Sequence, residues 1–539
     1  MTSTRPEPGA PAPIAASGPG AAPASVPGPA SVPAPGSRSA PGSRSAPGSR
    51  SAPGSGSAAK PLPGSAPAPG ALPGPRQEAA EGPGGGRVLA LASAVTFLAF
   101  LDATVVNVAF PDLRRAFPEV SLARLTWVVS AYAVLFAALL AAAGRLADTL
   151  GRRALFLGST LAFTLTSLAA SAAPTAELLI VARALQGAAA AGMIPAALGL
   201  VLAHTPPARR AAALGAWSAA GGLAAAVGPS IGGLLVEWWD WRAIFLINLP
   251  LGLAVAWASA RAIPAEPRTA HRLPDPVGTT ALALGIGGVV AGLSQGTEWG
   301  WTDPKVLVLV IGGALAGTLA LRRSRSHPAP AVDRDLWRDP LFARSTVGAL
   351  LFGVAMYAWL LMGPSYLVER WDYSVLQAGF GVTPGAVLAM AGALVVGRRV
   401  PARFQWAAVT IGSLLFAANG LLMWGWVAES TSYAQIFLPS ALLGGLGIGA
   451  VLTALSTTAS VGLPPQRFAA GTGLLMTARQ LGGALGVAAT AALLTGGGPG
   501  EHWSGIFLLI ALSSLAAAVV GAAMKLSGRS RPDRSRPAG

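Results

Sequence analysis

Long apolar stretches, separated by short polar loops, fill most of the chain from Val88 onward. A helix needs about 20 apolar residues to cross the hydrocarbon core of a bilayer, and by that length the pattern predicts about fourteen membrane-spanning helices. They are predicted near residues 88–110, 125–143, 154–173, 176–203, 211–236, 243–260, 277–295, 305–321, 345–367, 375–396, 404–427, 433–457, 468–495 and 503–525. We therefore expect an all-α protein that crosses a membrane many times.

Residues 1–86 differ sharply from this pattern, because they consist mainly of Pro, Gly, Ala and Ser. The segment Pro35–Ala40 recurs from Pro41 and again from Pro47. Such a composition buries too little apolar surface to offset the entropy lost on ordering the chain. We expect a disordered tail, with partner binding as an alternative role. No apolar region near Met1 suggests a signal peptide.

The composition excludes several classes of function. Charged residues make up 11% of the chain, against roughly 25% in soluble domains. The absence of cysteine excludes disulfides and cysteine nucleophiles. The histidines are far apart, and no lysine follows a glycine as in a Walker A loop. Two Gly-x-Ser-x-Gly matches, at 228–232 and 292–296, lie within apolar spans and lack the strand context of a nucleophile elbow. We predict no enzyme, no catalytic residue, no metal and no cofactor.

The net charge of +16 comes almost entirely from arginine. Such a charge can indicate nucleic-acid binding, but the arginines lie mainly in alternate loops between the spans, which is typical of cytoplasmic loops. The pattern predicts a multi-pass protein of the plasma membrane with both termini in the cytoplasm. Its partners would be the lipid bilayer and small molecules, not nucleic acid. Tryptophans at the opposite ends of the spans fit an aromatic belt: Trp127, Trp238, Trp239, Trp241, Trp299, Trp301, Trp371, Trp424, Trp426 and Trp503.

The loop after the second span carries the most specific motif. It contains Gly144, Asp148, Gly151, Arg152 and Arg153. We place Asp148 just before the third helix, where a carboxylate stabilises a helix N-terminus and can pair with arginine. The spacing resembles the signature loop of the major facilitator superfamily, although Thr149 stands where that family usually has arginine. The alternative is a basic loop that only sets the topology.

A weaker copy of this loop, 397–403, follows the tenth span. Internal copies are expected when a transporter is built from repeated units. We predict five segments, the first being the disordered tail already described. The others are a six-helix bundle over 87–262, a linker with two extra helices over 263–343, a second six-helix bundle over 344–525 and a basic tail over 526–539. The resemblance implies the fold of that superfamily, an all-α bundle of two six-helix halves.

Motifs in four spans are similar to the fourteen-helix drug:proton antiporter branch of the same superfamily. They lie at 101–111, 183–187, 228–233 and 473–483. The resemblance implies a proton-coupled exporter, and it covers roughly residues 88–525. It also implies that the helix with Gly228, Pro229, Gly232 and Gly233 bends and seals the route between the two faces. The alternative for these four residues is ordinary tight packing.

Asp102 and Arg183 are the strongest candidates for chemistry, because ionisable residues inside a membrane are costly and usually functional. By helical rise, both lie roughly 10–14 Å below the outer boundary. We predict that Asp102 binds the proton, with burial disfavouring its charge and Arg183 favouring it. The resemblance implies a coupling role for Arg183, and Gln186 would link the two. A static structural pair is the alternative.

The remaining candidates would line a substrate cavity: Trp217, Met356, Tyr357, Trp359, Gln377, Asn419, Arg479 and Gln480. Arg479 has no acid nearby in the C-terminal spans, so it would bond backbone or Gln377, face water, or meet an anionic substrate. We predict export of small, mainly apolar or cationic compounds such as antibiotics, in exchange for protons. An importer or symporter on the same fold, and a sensor that moves no ligand, are the alternatives.

Overall fold

The computed structural model describes residues 84–264, 273–426, 432–496 and 501–529. They lie in one compact unit and form helices, with no β-strand among them. The tail predicted to be disordered lies outside the described residues except for its last three. Residues 265–272 of the linker and 530–539 of the basic tail also lie outside them.

Fourteen long helices occur in the described residues, one at each predicted span. We number them α1 to α14: Gly84–Val108, Trp127–Leu150, Arg152–Ser171, Ala176–His204, Arg210–Trp238, Asn248–Ala262, Pro276–Trp299, Pro304–Arg323, Pro340–Trp371, Val375–Arg399, Gln405–Trp426, Leu438–Ser460, Phe468–Gly496 and Glu501–Arg529. A short helix, Ala243–Leu246, precedes α6 and extends that span. The predicted all-α membrane architecture is confirmed.

Thirteen of these helices, within the described residues, are long and apolar enough to cross a membrane. The exception is α13, which has 29 residues but carries Arg479 and Gln480 near its middle. Its length suffices, and these two polar residues lower its hydropathy.

The packing of α1–α6 repeats in α9–α14. In the first half α2 packs on α4, α1 on α5, α3 on α4 and α3 on α6; the same pairs recur eight helices later. Between the halves, α5 packs on α10 and α2 on α13, which is the pattern of a two-fold repeat. The inserted hairpin α7–α8 lies beside α2 and α13.

The inserted hairpin is closed at its base by an ion pair. Asp275, just before α7, accepts a hydrogen bond from Arg323 at the end of α8. This bond lowers the pKa of the Asp275 carboxyl. Further along α8, apolar side chains point outward, as expected of a surface that faces lipid: Val308, Ile311, Leu315 and Leu319.

The two halves touch backbone to backbone at one end of the bundle, the end where α2 stops and α3 begins. We call this the arginine-rich end. A Cβ on Gly144 of α2 would lie 2.4 Å from the carbonyl oxygen of Ala469 in α13. A Cβ on Gly215 of α5 would lie 2.5 Å from that of Ala393 in α10. Only glycine allows these approaches, so both contacts between the halves are tight here.

Candidate functional site

A buried ion pair joins α1 to α4. The guanidinium Nη1 of Arg183 donates to Oδ2 of Asp102 at 2.6 Å. Asp102 is 0% exposed and Arg183 is 1% exposed. The sequence analysis placed these residues at matching depth, and the structure brings them together.

The second carboxylate oxygen of Asp102 has two further donors. Nε2 of Gln186 donates to Oδ1 at 2.9 Å, and Nδ2 of Asn248 in α6 donates to the same atom at 2.8 Å. Gln186 also accepts from Nη1 of Arg183 at 2.7 Å. Gln186 therefore links the pair, as the sequence predicted.

Asn248 and Ser167 are parts of this network to which the sequence analysis gave no role. Nδ2 of Asn248 also donates to Oγ of Ser167 in α3 at 2.9 Å, and that hydroxyl donates to the carbonyl of Phe245. Oδ1 of Asn248 has no hydrogen-bond partner among the described residues. Both are polar residues within apolar spans, and this pattern in the sequence could have identified them.

The guanidinium of Arg183 is held by α2 as well. Its Nε donates to the carbonyl oxygen of Val128 at 3.1 Å. Its central carbon lies 4.3 Å from the centre of the Tyr132 ring, within range for a cation–π interaction. Tyr132 itself donates to the carbonyl of Ala99 in α1. Tyr132 is a further site residue that the sequence analysis missed.

This arrangement makes each charge of the pair depend on the other. Burial disfavours an isolated charge, while an opposite charge and hydrogen-bond partners favour it. Removing one partner of a buried ion pair typically costs about 3–5 kcal/mol, because the other charge is left uncompensated. A movement of α4 away from α1 would therefore leave both charges uncompensated.

Asp148 lies in the last turn of α2, four residues before α3, and pairs with arginine as predicted, but it does not cap the N-terminus of α3, contrary to the prediction. Its carboxylate instead accepts from the backbone N–H groups of Ala470 and Ala469 at 2.8 and 3.3 Å, at the start of α13. Arg152 also pairs with it at 2.8 Å. Gly151, with φ of 99°, makes the turn into α3. The carboxylate caps a helix of the other half.

The other residues of this loop also make contacts. Arg152 donates to the carbonyl of Pro465, before α13, and Arg153 donates to that of Ala260 in α6 at 2.7 Å. Thr149 bonds back to the carbonyl of Arg145 in its own helix. The loop is therefore tied to both halves.

A second set of ion pairs, not foreseen from the sequence, crosses the same end. Asp333, in the segment before α9, lies 2.9 Å from Arg467 and 3.6 Å from Arg145. Arg467 also contacts Asp335 at 3.1 Å. These pairs connect the loop between α2 and α3 to the start of α13.

The glycines of α5 lie against α1, next to Asp102. A Cβ on Gly228 would lie 2.0 Å from Oγ1 of Thr104, and one on Gly232 would lie 3.1 Å from Cβ of Val105. Gly233 is looser, with its nearest atom at 3.9 Å. Pro229 lies inside the helix. The motif thus forms a close seam between α5 and the helix that carries Asp102.

The candidates for a substrate cavity do not form one group. Tyr357 of α9 donates to Oε1 of Gln480 of α13, and Arg479 lies beside them. Met356, Trp359 and Trp217 are buried. The ring of Trp359 stacks on Phe437.

Two candidates lie elsewhere. Gln377 is exposed and forms a capping box with Ser374 at the start of α10, so the structure does not pair it with Arg479. Asn419 is buried between α11 and α12, where Ser440 donates to its Oδ1. The polar group of Gln377 therefore caps a helix, and that of Asn419 joins two helices.

A polar cavity of about 580 Å³ opens at the end opposite the arginine-rich end. Its walls include Asn107 of α1, Ser130 of α2 and Glu298 of α7. Glu298 accepts a hydrogen bond from Thr126 at 3.1 Å. Ser130 lies about 3 Å deeper along α2 than Val128, by helical rise. The cavity is thus lined by α1 and α2, the helices that carry Asp102 and the Val128 carbonyl.

Within the described residues no cluster of His, Asp or Glu is placed to hold a metal ion. The titratable groups of the site are the Asp102 carboxylate and the neighbouring phenols and guanidinium groups. They are suited to holding and moving a proton.

Comparisons with known proteins agree with this geometry. The family model described as Major Facilitator Superfamily matches residues 92–487. Puromycin resistance protein pur8 of Streptomyces alboniger is 36% identical over 75% of this chain and 80% of its own. Cephamycin export protein CmcT of Amycolatopsis lactamdurans is 35% identical over 82% of this chain and 93% of its own. Multidrug resistance protein Stp of Mycobacterium tuberculosis is 32% identical over 74% of each.

Among solved structures, the human organic anion transporter MFSD10 (TETRAN) is similar with a TM-score of 0.61. The match covers 82% of this chain and 100% of that one, at 17% sequence identity. It concerns the fold alone. The predicted fold class, two six-helix bundles with an inserted helix pair, is confirmed.

Proposed function

This chain belongs to the Major Facilitator Superfamily, among its drug exporters, and we propose that it exports small organic molecules in exchange for protons. The observation that carries the proposal is the Asp102 carboxylate, buried at mid-helix and bonded to Arg183, Gln186 and Asn248. Asp102 is the proton site, and Arg183 controls its affinity.

Proton binding to Asp102 would neutralise the carboxylate and release Arg183. Arg183 would then rely on the Val128 carbonyl and the Tyr132 ring, both on α2. Loss of the bond to Asp102 would then let α4, still held by α2, shift against α1. The proton site is thus coupled to helix packing.

By the positive-inside rule, the arginine-rich end faces the cytoplasm, and both termini lie on the cytoplasmic side of the plasma membrane. The contacts of Asp148 and Arg152 with the start of α13 and the segment before it close that end in the described state, and Arg153 ties the same loop to α6. Opening it requires α13 to leave the carboxylate of Asp148. Alternating access is then a rocking of the two halves, 87–262 and 344–525, about the seam where α5 meets α10. The α7–α8 pair, in 263–343, stays at the side.

Protons would enter from the opposite end through the polar cavity beside Asn107, Ser130 and Glu298. One charge crossing the membrane is worth about 2.3 kcal/mol per 100 mV, so a single proton drives useful accumulation outside. Tyr357, Gln480, Met356 and Trp359 line the substrate route between the halves. The glycine–proline seam of α5 keeps that route sealed against leakage.

The test is transport in everted membrane vesicles that contain the full chain. An imposed pH gradient is followed while antibiotics and dyes are added. We expect substrate-induced proton release, and its loss in Asp102→Asn. The matched control is Asp112→Asn, a half-buried acid beyond the same helix that pairs with Arg115.

Proton release that persists in Asp102→Asn would remove Asp102 as the proton site. Substrate transport without any proton movement in the unmodified protein would overturn antiport itself. Substrate that moves with protons in the same direction would establish a symporter instead.

A further inference from the structure

Charges are rare in the interior of this protein, and one of them is unbalanced. Away from the helix ends, the described helices carry three charged residues, Asp102, Arg183 and Arg479. Asp102 and Arg183 neutralise each other. Arg479, on α13, leaves the interior with a net positive charge.

Arg479 lies deep in the second half. It is the twelfth residue of α13, about 17 Å along the helix from Phe468 by helical rise. It is 9% exposed, and its Nε has no hydrogen-bond partner among the described residues. The acids of the described helices in this half, Glu369 and Glu501, lie at helix ends.

A buried, uncompensated cation is costly, so proteins normally pair it or place it where a ligand supplies the charge. Arginine in particular binds carboxylates and other oxyanions through two parallel hydrogen bonds. The unsatisfied hydrogen-bonding capacity of Arg479 therefore suits an anionic group.

The surroundings of Arg479 are rigid and polar. A Cβ on Gly353 of α9 would lie 2.4 Å from the carbonyl oxygen of Arg479, so the two helices touch at this level. The next residue, Gln480, accepts a hydrogen bond from Tyr357, which Arg479 influences electrostatically. Groups held on packed helices bind with better-defined geometry than groups on loops.

We propose that Arg479, with Gln480 and Tyr357, binds an oxyanion of the exported compound, so that the substrates are organic anions and not cations. The proposal rests on the proposed export function and replaces the cationic substrates expected from the sequence. A fixed positive charge in a medium of low dielectric repels a cation and attracts an anion. Exchange of one monoanion for one proton then moves two charges, and an inside-negative potential favours both movements.

The experiment compares two dyes that share a xanthene ring system but differ in charge, carboxyfluorescein and rhodamine 6G. Binding to the purified full-length protein is measured by fluorescence anisotropy, and uptake by everted vesicles is followed in parallel. We expect the unmodified protein to prefer carboxyfluorescein at least tenfold. Arg479→Gln should remove that preference, and Arg479→Lys, which keeps charge but loses the bidentate geometry, should retain part of it.

The matched control is Arg370→Gln, an exposed arginine at the end of α9, which should bind like the unmodified protein. Equal binding of carboxyfluorescein by Arg479→Gln and the unmodified protein would overturn the proposal, as would a preference of the unmodified protein for rhodamine 6G. If a variant does not fold, the preference of the unmodified protein for one of the two dyes still tests the proposal.

The readouts separate this proposal from the proposed function. Proton release driven by rhodamine 6G and unaffected by Arg479→Gln would leave antiport in place and remove the anion site. Carboxyfluorescein bound through Arg479 without any proton movement would leave the anion site in place and remove antiport.

Discussion

At the scale of single residues, the Asp102 carboxylate depends on donors from two other helices. Arg183 and Gln186 come from α4, and Asn248 comes from α6. Hydrogen bonds to a charged group are stronger than those between neutral groups. All three donors therefore contribute to holding the Asp102 carboxylate between the helices.

Replacement of Asn248 by Ala should lower substrate-driven proton release across the pH profile of transport. The variant removes one donor to Oδ1 of Asp102 and leaves the buried network one hydrogen bond short. A hydrogen bond to a charged group is worth about 1.5–3 kcal/mol, which corresponds to roughly a ten- to hundredfold change in an equilibrium. Transport measured from pH 5 to 9 provides the check.

Thr96→Val is the control for that series, because Thr96 lies on α1 and its hydroxyl donates to the backbone of Ala92 in the same helix. An unchanged profile in Asn248→Ala would show that the donor has no part in proton release. A profile that moves equally in both variants would indicate a general effect on α1.

At the scale of helices, the seam between α1 and α5 depends on the absence of a side chain at one position. Gly228 meets Thr104, whose branched side chain has little rotational freedom in a helix. Gly233, five residues along, meets only a methyl group of Val108 at ordinary contact distance. Gly228 therefore allows α5 to pack closely on α1, whereas Gly233 is not needed for that contact.

Gly228→Ala should lower the free energy of unfolding by about 1–3 kcal/mol, the usual cost of overpacking. Gly233→Ala should be neutral or slightly stabilising, since alanine favours a helix over glycine by roughly 1 kcal/mol. Thermal unfolding of both variants in detergent gives the comparison. Equal melting temperatures would show that the seam relaxes around the added methyl group.

At the scale of the whole molecule, the arginine-rich end is held closed by a carboxylate of one half on a helix of the other. Asp148 bonds to the first turn of α13, where the N-terminal end of the helix dipole attracts an anion. Asp333 adds ion pairs with Arg467 and Arg145. The closed state therefore depends on charge as well as on the backbone contact at Gly144.

Asp148→Asn should shift the protein toward states open at this end. The variant removes the negative charge that the N-terminus of α13 attracts, which is worth about 1 kcal/mol and changes a two-state ratio about fivefold. The chain has no cysteine, so spin labels on Leu150→Cys and Val461→Cys, both exposed, report one distance without background. Longer distances are expected in Asp148→Asn and not in Asp240→Asn, an acid at the opposite end. An unchanged distance distribution would contradict the role of the cap.

The sequence predicted those features that a short stretch of chain encodes. Apolar length placed all fourteen helices, and equal depth along two of them paired Asp102 with Arg183. Asp148 was placed at the wrong helix, because its partners Ala469 and Ala470 lie more than three hundred residues away. The pairs of Asp333 depend on the same long-range approach. Asn248 was visible as a polar residue in an apolar span, but the sequence did not show that it bonds to Asp102.

The low hydropathy of α13 has a consequence for how this protein is made. Helices enter a bilayer from the translocon according to their apolarity, and an arginine at the centre of a span costs about 2.5–3.5 kcal/mol there. Thirteen described helices meet the requirement by themselves, and α13 does not. Its insertion must draw on contacts with helices already in place, above all α9 and α2, against which it packs. Biogenesis of the second half is therefore cooperative, and α13 becomes stable in the membrane only as the two halves assemble.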